Sequence, residues 1–177
     1  MRAFISLDVP QFIRSKLHEF GASIPGKISI VPESNMHITL QFLGEINNAS
    51  IEKAEAAIGG IHSLKFSVDV SGISFFGNES MHTIYAKIND NGASKHLYLE
   101  LQQRLSENGI NPQHEHSYVP HITLARVKQP SQETAAFISR NFEVSFGAFV
   151  ADTVSLRQSI ATALGPSYSS LYERKLL

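Results

Sequence analysis

Cysteine is absent from the chain of 177 residues. Disulfide bonds, thiol catalysis and zinc sites with cysteine ligands are therefore excluded. An excess of charge is also absent, because 15 lysine and arginine residues nearly balance 16 aspartate and glutamate residues, for a formal net charge of −1. The composition provides no global basic field for long nucleic acids, although it permits a local basic groove for a short strand or a strand end.

Long apolar runs are missing as well. No stretch approaches the ~20 apolar residues that a membrane-spanning helix needs. The first segment, MRAFISLDVPQF, does not have the pattern of a signal peptide, because Asp8 and Pro10 interrupt its apolar run. We therefore expect a cytoplasmic protein that does not bind membranes.

A repeated tetrapeptide is the most informative feature that is present. His-Ile-Thr-Leu occurs at His37 and again at His121, an offset of 84 residues. Around each copy, the hydrophobic pattern predicts a strand, a helix, the motif strand, a helix and a further strand. The order of elements over about 1–76 thus recurs over 82–177, which indicates an internal duplication.

This order predicts the fold class. We expect a single domain over residues 1–177 with an α+β fold, built from two lobes that are related by a pseudo-twofold axis. Each lobe should contain an antiparallel sheet with helices outside, and the two lobes should flank a central groove. A chain of this length can bury a core without metals or disulfide bonds.

The motif strands carry the candidate chemistry. Residues i and i+2 of a strand share a face, so His37, Thr39 and Gln41 should point one way and Ile38, Leu40 and Phe42 the other. The second copy places His121 and Thr123 in the same way. Two histidines around one groove can act as proton acceptor and proton donor near neutral pH. Threonine hydroxyls can donate to phosphate oxygens, so the set suits cleavage of a phosphodiester without a metal ion.

A positive charge for the phosphate is available at Arg126, near the end of the second motif strand. Strict alternation gives Arg126 the face of Ile122 and Leu124 rather than that of His121. The side chain therefore reaches the groove only if the strand twists, bulges or ends there.

Other site motifs are few. The chain has no Walker A loop, no Gly-x-Gly-x-x-Gly and no Gly-x-Ser-x-Gly sequence. The segment His114-Glu115-His116 is the one local cluster that suggests a metal ion, but no further ligand accompanies it, and we interpret it as a polar loop. We predict no metal site and no cofactor. The loop is a candidate for lining the groove, with His116 in it and Tyr118 beside it to stack on a base.

The motif segments HITLQFLGE and HITLARV resemble those of the 2H phosphoesterase superfamily. The segments MRAFISLDVP, VPESNMHITLQFLGE and GPSYSSLYERKLL extend the resemblance from Met1 almost to Leu177. Within the superfamily they are similar to the RNA 2′,3′-cyclic phosphodiesterases, also called 2′-5′ RNA ligases. The chain departs from this pattern at Tyr85 and Lys87, where relatives often carry tryptophan and glycine, and at His116, where relatives often carry arginine.

The resemblance implies a metal-independent opening of RNA 2′,3′-cyclic phosphate to a 2′-phosphate, with weak, reversible joining of tRNA halves through a 2′-5′ bond. It implies that His37 donates a proton to the 3′ oxygen and that His121 activates water. Thr39 and Thr123 would hold the phosphate, and Arg126 matches an arginine that often follows the second motif. We expect a monomer that binds tRNA halves or short oligonucleotides with a cyclic phosphate end.

Two alternatives remain open on the sequence. The paired motifs also suit a module that binds an RNA end without turnover. The same chemistry also suits another substrate, such as a cyclic nucleotide, ADP-ribose cyclic phosphate or a 2′-5′ linked oligonucleotide. Tight binding of cyclic-phosphate RNA without product would support the first alternative, and the groove residues would decide the second.

Overall fold

The computed structural model describes residues 1–77, 80–112 and 117–177. The helices are α1 (Gln11–Gly21), α2 (Asn48–Gly59), α3 (Ala93–Glu107) and α4 (Gln132–Arg140), with a short 3-10 helix at Glu33–Asn35. The strands are β1 (Arg2–Leu7), β2 (Lys27–Ile30), β3 (Ile38–Glu45), β4 (Phe66–Phe76), β5 (Thr83–Asn89), β6 (His121–Gln129), β7 (Ser145–Ala151), β8 (Thr153–Thr162) and β9 (Gly165–Lys175). None of these described helices is long and apolar enough to cross a membrane.

All the strands pair in antiparallel fashion, in the order β7-β4-β5-β6-β3-β1-β8-β9, with β2 paired to β6. The two motif strands, β3 and β6, meet only at the pair Ile38–Ile122. This single pair divides the sheet into a first lobe of β1, β3, β8 and β9 and a second lobe of β2, β4, β5, β6 and β7. The predicted α+β class, with antiparallel strands in two lobes, is confirmed, and the sheets of the two lobes are continuous at the motifs.

Each lobe takes strands from both halves of the sequence. β4 follows the first motif in the chain but pairs with β5 in the second lobe. β8 follows the second motif but pairs with β1 in the first lobe. The helices cross over in the same way, because α1 contacts β6 and β7 while α3 contacts β3. Neither half of the sequence forms a lobe by itself, and we therefore propose that residues 1–177 are one domain.

The apolar side of each motif strand anchors it in the core. Ile38, Leu40, Ile122 and Leu124 are at most 2% exposed. Two helices that follow the motifs begin at side-chain caps: Asn47 accepts the Ser50 N–H, and Ser131 accepts the Thr134 N–H. Such caps stabilise a helix by about 1 kcal/mol each. The motif side chains therefore project from strands that have little freedom to move.

A β-bulge interrupts each motif strand at the same place. In β3, Thr39 pairs with Ser6 and Gln41 with Ile5, so Leu40 is the extra residue. In β6, Thr123 pairs with Tyr85 and Ala125 with Ile84, so Leu124 is the extra residue. A bulge opposes two residues to one, and the side chains that follow it change faces.

The bulges overturn part of the predicted alternation. Gln41, which was expected beside His37 and Thr39, is 6% exposed and buried, whereas Phe42, expected in the core, is 57% exposed. The buried Gln41 amide oxygen accepts a hydrogen bond from Gln102 of α3. Arg126 stands at the position equivalent to Phe42, and the same displacement brings it to the groove face. β6 therefore has the bulge that the sequence interpretation required for Arg126 to reach the groove.

Candidate active site

A groove of about 680 Å³ lies between the lobes. Its lining includes all five residues that the motif argument selected: His37, Thr39, His121, Thr123 and Arg126. The volume lies within the ~300–1,000 Å³ range of small-molecule sites. The structure thus brings together side chains from two strands whose motifs are 84 residues apart in sequence.

His37 is held by hydrogen bonds at both ring nitrogens. Nδ1 lies 2.7 Å from the Asn35 carbonyl oxygen, and Nε2 lies 3.0 Å from the Thr39 hydroxyl. Because a carbonyl only accepts, Nδ1 carries a proton, and in the neutral ring Nε2 accepts from Thr39. The ring also packs against Phe4 and meets Tyr168 edge-on, at centroid distances of 4.8 and 5.5 Å.

His121 repeats the arrangement on the other lobe. Its Nδ1 lies 2.8 Å from the Val119 carbonyl oxygen, again two residues before the histidine. Its ring meets Phe76 and Tyr85 edge-on, at centroid distances of 4.8 and 5.3 Å. In both histidines the backbone bond fixes the tautomer and makes Nε2 the nitrogen that can exchange a proton with a ligand.

The two histidines differ in their surroundings. The pKa of His37 is lowered from 6.5 to about 4. Burial is the main cause, and the charges of Arg157 and His121 act in the same direction, against the opposing effects of the Asn35 hydrogen bond and of Asp8. The ring of His37 is therefore neutral at pH 7. The sequence argument assumed an ordinary histidine pKa at this position and had no means to detect the burial of the ring.

The groove is electropositive for a chain that is close to neutral. Among the described residues, its lining includes Arg2 and Arg126 and no aspartate or glutamate. Arg126 is exposed, and its Nη1 donates to the Thr83 hydroxyl at 3.3 Å. Thr123 lies two residue pairs from Arg126 along the β5–β6 ladder, on the same face of the sheet. This end of the groove therefore offers an anion both the Arg126 guanidinium and threonine hydroxyl groups.

Several groove residues were not identified from the sequence. Phe42 lines the groove as an exposed ring, and its offset of 84 residues from Arg126, equal to that of the motifs, is the signal that could have identified it. Asn35 is buried and donates from Nδ2 to the Pro166 carbonyl oxygen at 2.7 Å, which fastens the β8–β9 hairpin beside His37. No sequence pattern indicated Tyr168, which reaches the groove from the last strand of the chain.

The secondary candidates have different outcomes. Tyr118 does not line the main groove: its ring stacks on Tyr98 at 4.4 Å, and its hydroxyl donates to the Thr39 carbonyl oxygen at 3.1 Å. It lies in a small adjoining pocket instead. His116 and the rest of the His114–Glu115–His116 cluster lie outside the described residues. Elsewhere in the described chain, no group of three or more histidine, aspartate or glutamate side chains is placed to hold a metal ion.

Lys87 sits opposite His121 in the β5–β6 pair. Its ammonium group does not join the lining of the groove. It lies 3.3 Å from the centre of the Phe142 ring, a cation–π contact on the outer part of the second lobe. The lysine at this position therefore adds no phosphate-binding charge to the lining of the groove.

Comparisons with known proteins agree along the whole chain. The AKAP7 2′5′ RNA ligase-like domain family matches residues 4–164. The RNA 2′,3′-cyclic phosphodiesterase of Archaeoglobus fulgidus is 28% identical over 174 residues, which cover 97% of this chain and 98% of that protein. The RNA 2′,3′-cyclic phosphodiesterase of Thermotoga maritima is 30% identical over 181 residues, which cover 98% of this chain and 94% of that protein.

Solved structures show the same fold. The crystal structure of a Thermus thermophilus protein, 26% identical, has a TM-score of 0.81 and covers 99% of this chain and 98% of that one. E. coli LigT complexed with 3′-AMP, 21% identical, also has a TM-score of 0.81, with 99% and 96% of the two chains covered. The chain belongs to the 2H phosphoesterase superfamily, in the family of 2′-5′ RNA ligase-like domains and RNA 2′,3′-cyclic phosphodiesterases.

Proposed function

We propose that the chain opens the 2′,3′-cyclic phosphate at the end of an RNA strand to a 2′-phosphate, without a metal ion. One observation carries the proposal: two imidazoles face one groove, and each is fixed through Nδ1 by a carbonyl two residues earlier. Curated relatives of nearly equal length, named RNA 2′,3′-cyclic phosphodiesterases, support the substrate and the reaction.

The reaction needs one proton acceptor and one proton donor. His121 Nε2 takes a proton from water as the water oxygen bonds to phosphorus. His37 Nε2 gives a proton to the 3′ oxygen as the P–O3′ bond breaks, which leaves a 3′ hydroxyl and a 2′-phosphate. The Thr39 and Thr123 hydroxyls and the Arg126 guanidinium stabilise the charge that builds on the non-bridging oxygens.

The donor role of His37 requires a proton that the ring does not hold by itself at pH 7, since the pKa of His37 is about 4. A bound phosphodiester places a negative charge beside the ring, and an opposite charge favours the protonated form. The Thr39 hydroxyl must then turn from Nε2 toward the phosphate, because a protonated Nε2 no longer accepts. Substrate binding and proton uptake at His37 are therefore coupled.

The first test is product identification. The purified protein is incubated with EDTA and a short RNA that ends in a 2′,3′-cyclic phosphate, and the terminal group is determined. We expect a 2′-phosphate. Replacement of His37 or His121 by alanine should each lower the rate by roughly 10²–10⁴-fold, and the double variant should lose far less than the product of the two. His96→Ala, on the exposed side of α3, is the matched control.

The two roles can be assigned with a modified leaving group. A 3′-phosphorothiolate substrate has a sulfur leaving group that needs little protonation. It should restore much of the lost rate in His37→Ala and little in His121→Ala. The opposite pattern would exchange the two roles and keep the reaction. Tight binding of the cyclic phosphate end with no turnover of either substrate would instead identify a binding module.

The same site explains ligation. If the 5′ hydroxyl of a second strand replaces water as the nucleophile, the step forms a 2′-5′ phosphodiester and again releases the 3′ hydroxyl. We propose that this reaction occurs weakly on tRNA halves and that the protein acts as a monomer. Incubation of matched tRNA halves, with nuclease mapping of the new bond, tests the first point, and light scattering of the purified protein tests the second.

A further inference from the structure

A row of three polar side chains crosses the first lobe at one end of the groove. Arg2 on β1 pairs with Ser159 on β8, and Ser159 pairs with Tyr168 on β9. Directly opposed residues of a sheet share a face, and all three residues line the groove. Strands from opposite ends of the chain thus present a guanidinium, a hydroxyl and a phenol side by side.

Within the described part of the chain, the polar groups of these three side chains make no hydrogen bond or ion pair. Glu45, which pairs with Arg2 across β1 and β3, instead lies 3.4 Å from the Met1 amine through its carboxylate. By contrast, Arg157 is occupied by Asp8 at 2.7 Å. The row therefore resembles a prepared anion site more than a structural network.

The row extends outward from the reacting centre: the Tyr168 ring meets His37 at 5.5 Å, and Arg2 lies further away along β1. Along β1, Ser6 is level with Thr39, Phe4 is level with Phe42, and Arg2 lies two residues further on. At ~3.3 Å per residue, the Cα atom of Arg2 is about 13 Å from that of Ser6 along the strand. The exposed Phe42 ring stands between the two positions. This interval is longer than the distance between successive phosphates, but the long Arg2 side chain, which lines the groove, can reach back over part of it. A nucleoside with its cyclic phosphate between the histidines can then present its 5′ phosphate to the row and its base to Phe42.

We propose that Arg2, Ser159 and Tyr168 bind the phosphate on the 5′ side of the terminal nucleotide, so that the preferred substrate carries two phosphates rather than one. The inference rests on the proposed function, because it takes the cyclic phosphate to lie between His37 and His121. Arg2 supplies the charge and the two hydroxyls donate hydrogen bonds. Burial raises the pKa of Tyr168 despite the charges of Arg126, Arg157 and Arg2, so its hydroxyl stays protonated and able to donate.

Two small substrates isolate this contact. Adenosine 2′,3′-cyclic phosphate and its 5′-phosphorylated form differ only in the second phosphate. A charge-assisted contact supports roughly 10–100-fold discrimination, so the wild-type kcat/KM should be higher by that factor for the 5′-phosphorylated substrate. Arg2→Ala should reduce the ratio to nearly one, mainly through KM, while Arg2→Lys should keep part of it. Ser159→Ala and Tyr168→Phe should each reduce it in part.

Arg140→Ala is the control for net charge, because Arg140 is exposed on α4 and is not among the lining residues. It should leave the ratio unchanged. A wild-type ratio near one, or an Arg2→Ala variant that loses the same factor on both substrates, would overturn the inference. If the wild-type protein opens neither compound, the short RNA with a cyclic phosphate end decides the proposed function separately, and calorimetric affinities for the same two compounds still decide whether the row binds a phosphate.

Discussion

Acid should destabilise the protein through His37 in particular. The pKa of this histidine is about 4 in the folded protein, against 6.5 in its ordinary state. The unfolded chain therefore binds the proton more tightly than the folded chain does. The stabilising contribution is complete above about pH 6.5, is lost progressively as the pH falls, and is fully lost below about pH 4. The free-energy difference between these limits is roughly 3 kcal/mol.

The measurement is urea unfolding of the wild-type protein and of His37→Gln at several pH values between 7 and 4. Glutamine keeps an N–H donor for the Asn35 carbonyl but does not titrate. The free energy of unfolding of the wild type should therefore fall more steeply with acid than that of the variant, by up to about 1.4 kcal/mol per pH unit. His96→Gln, an exposed replacement on α3, should follow the wild type.

Parallel curves for the wild type and His37→Gln over this range would refute the reasoning, since they would show that burial does not perturb the ring. A titration of the imidazole Cε1 proton by NMR gives the same quantity directly. Saturation with a non-hydrolysable phosphate ligand should raise the midpoint of that titration, because the anion favours the protonated ring.

Three further predictions concern the groove. Asn35→Leu should lower the free energy of unfolding by about 1 kcal/mol, measured with urea, because the hydrogen bond from the buried Asn35 amide to the Pro166 carbonyl is lost. The kcat should fall as well, since the hairpin beside His37 loosens. Phe42→Ala should raise KM by about 5–100-fold and leave stability unchanged, because base stacking contributes ~1–3 kcal/mol and the ring is already exposed; Phe42→Trp should retain the wild-type KM. Arg126→Ala should lower kcat by at least about 10-fold in steady-state kinetics, with partial recovery in Arg126→Lys.

Each of these three predictions can be contradicted by one specific result. Asn35→Leu with wild-type stability would mean that the hairpin does not depend on this hydrogen bond. An unchanged KM in Phe42→Ala would remove the base from this wall of the groove. Equal kcat values for Arg126→Ala and the wild type would show that the bulge in β6 brings the guanidinium to the groove without a catalytic consequence.

The repeated motif was sufficient to predict which side chains of the two motif strands line the groove, because its information is local. A polar side chain at every second position of a strand identifies the exposed face, and two matching contexts identify a duplication. The class of fold followed from the same pattern. The alternation failed at Gln41 and Phe42, because a bulge is a property of strand pairing and depends on how β1 and β3 align.

By itself, the sequence determined the duplicated α+β fold and the selection of His37, Thr39, His121 and Thr123. The tertiary structure decided what depends on residues that are distant in the chain. The exchange of β4 and β8 between the lobes, the reach of Arg126 and the row formed by Arg2 with β8 and β9 all arise from long-range strand pairing. The lowered pKa of His37 arises in the same way, since the ring acquires its burial and its charged neighbours only when the chain folds.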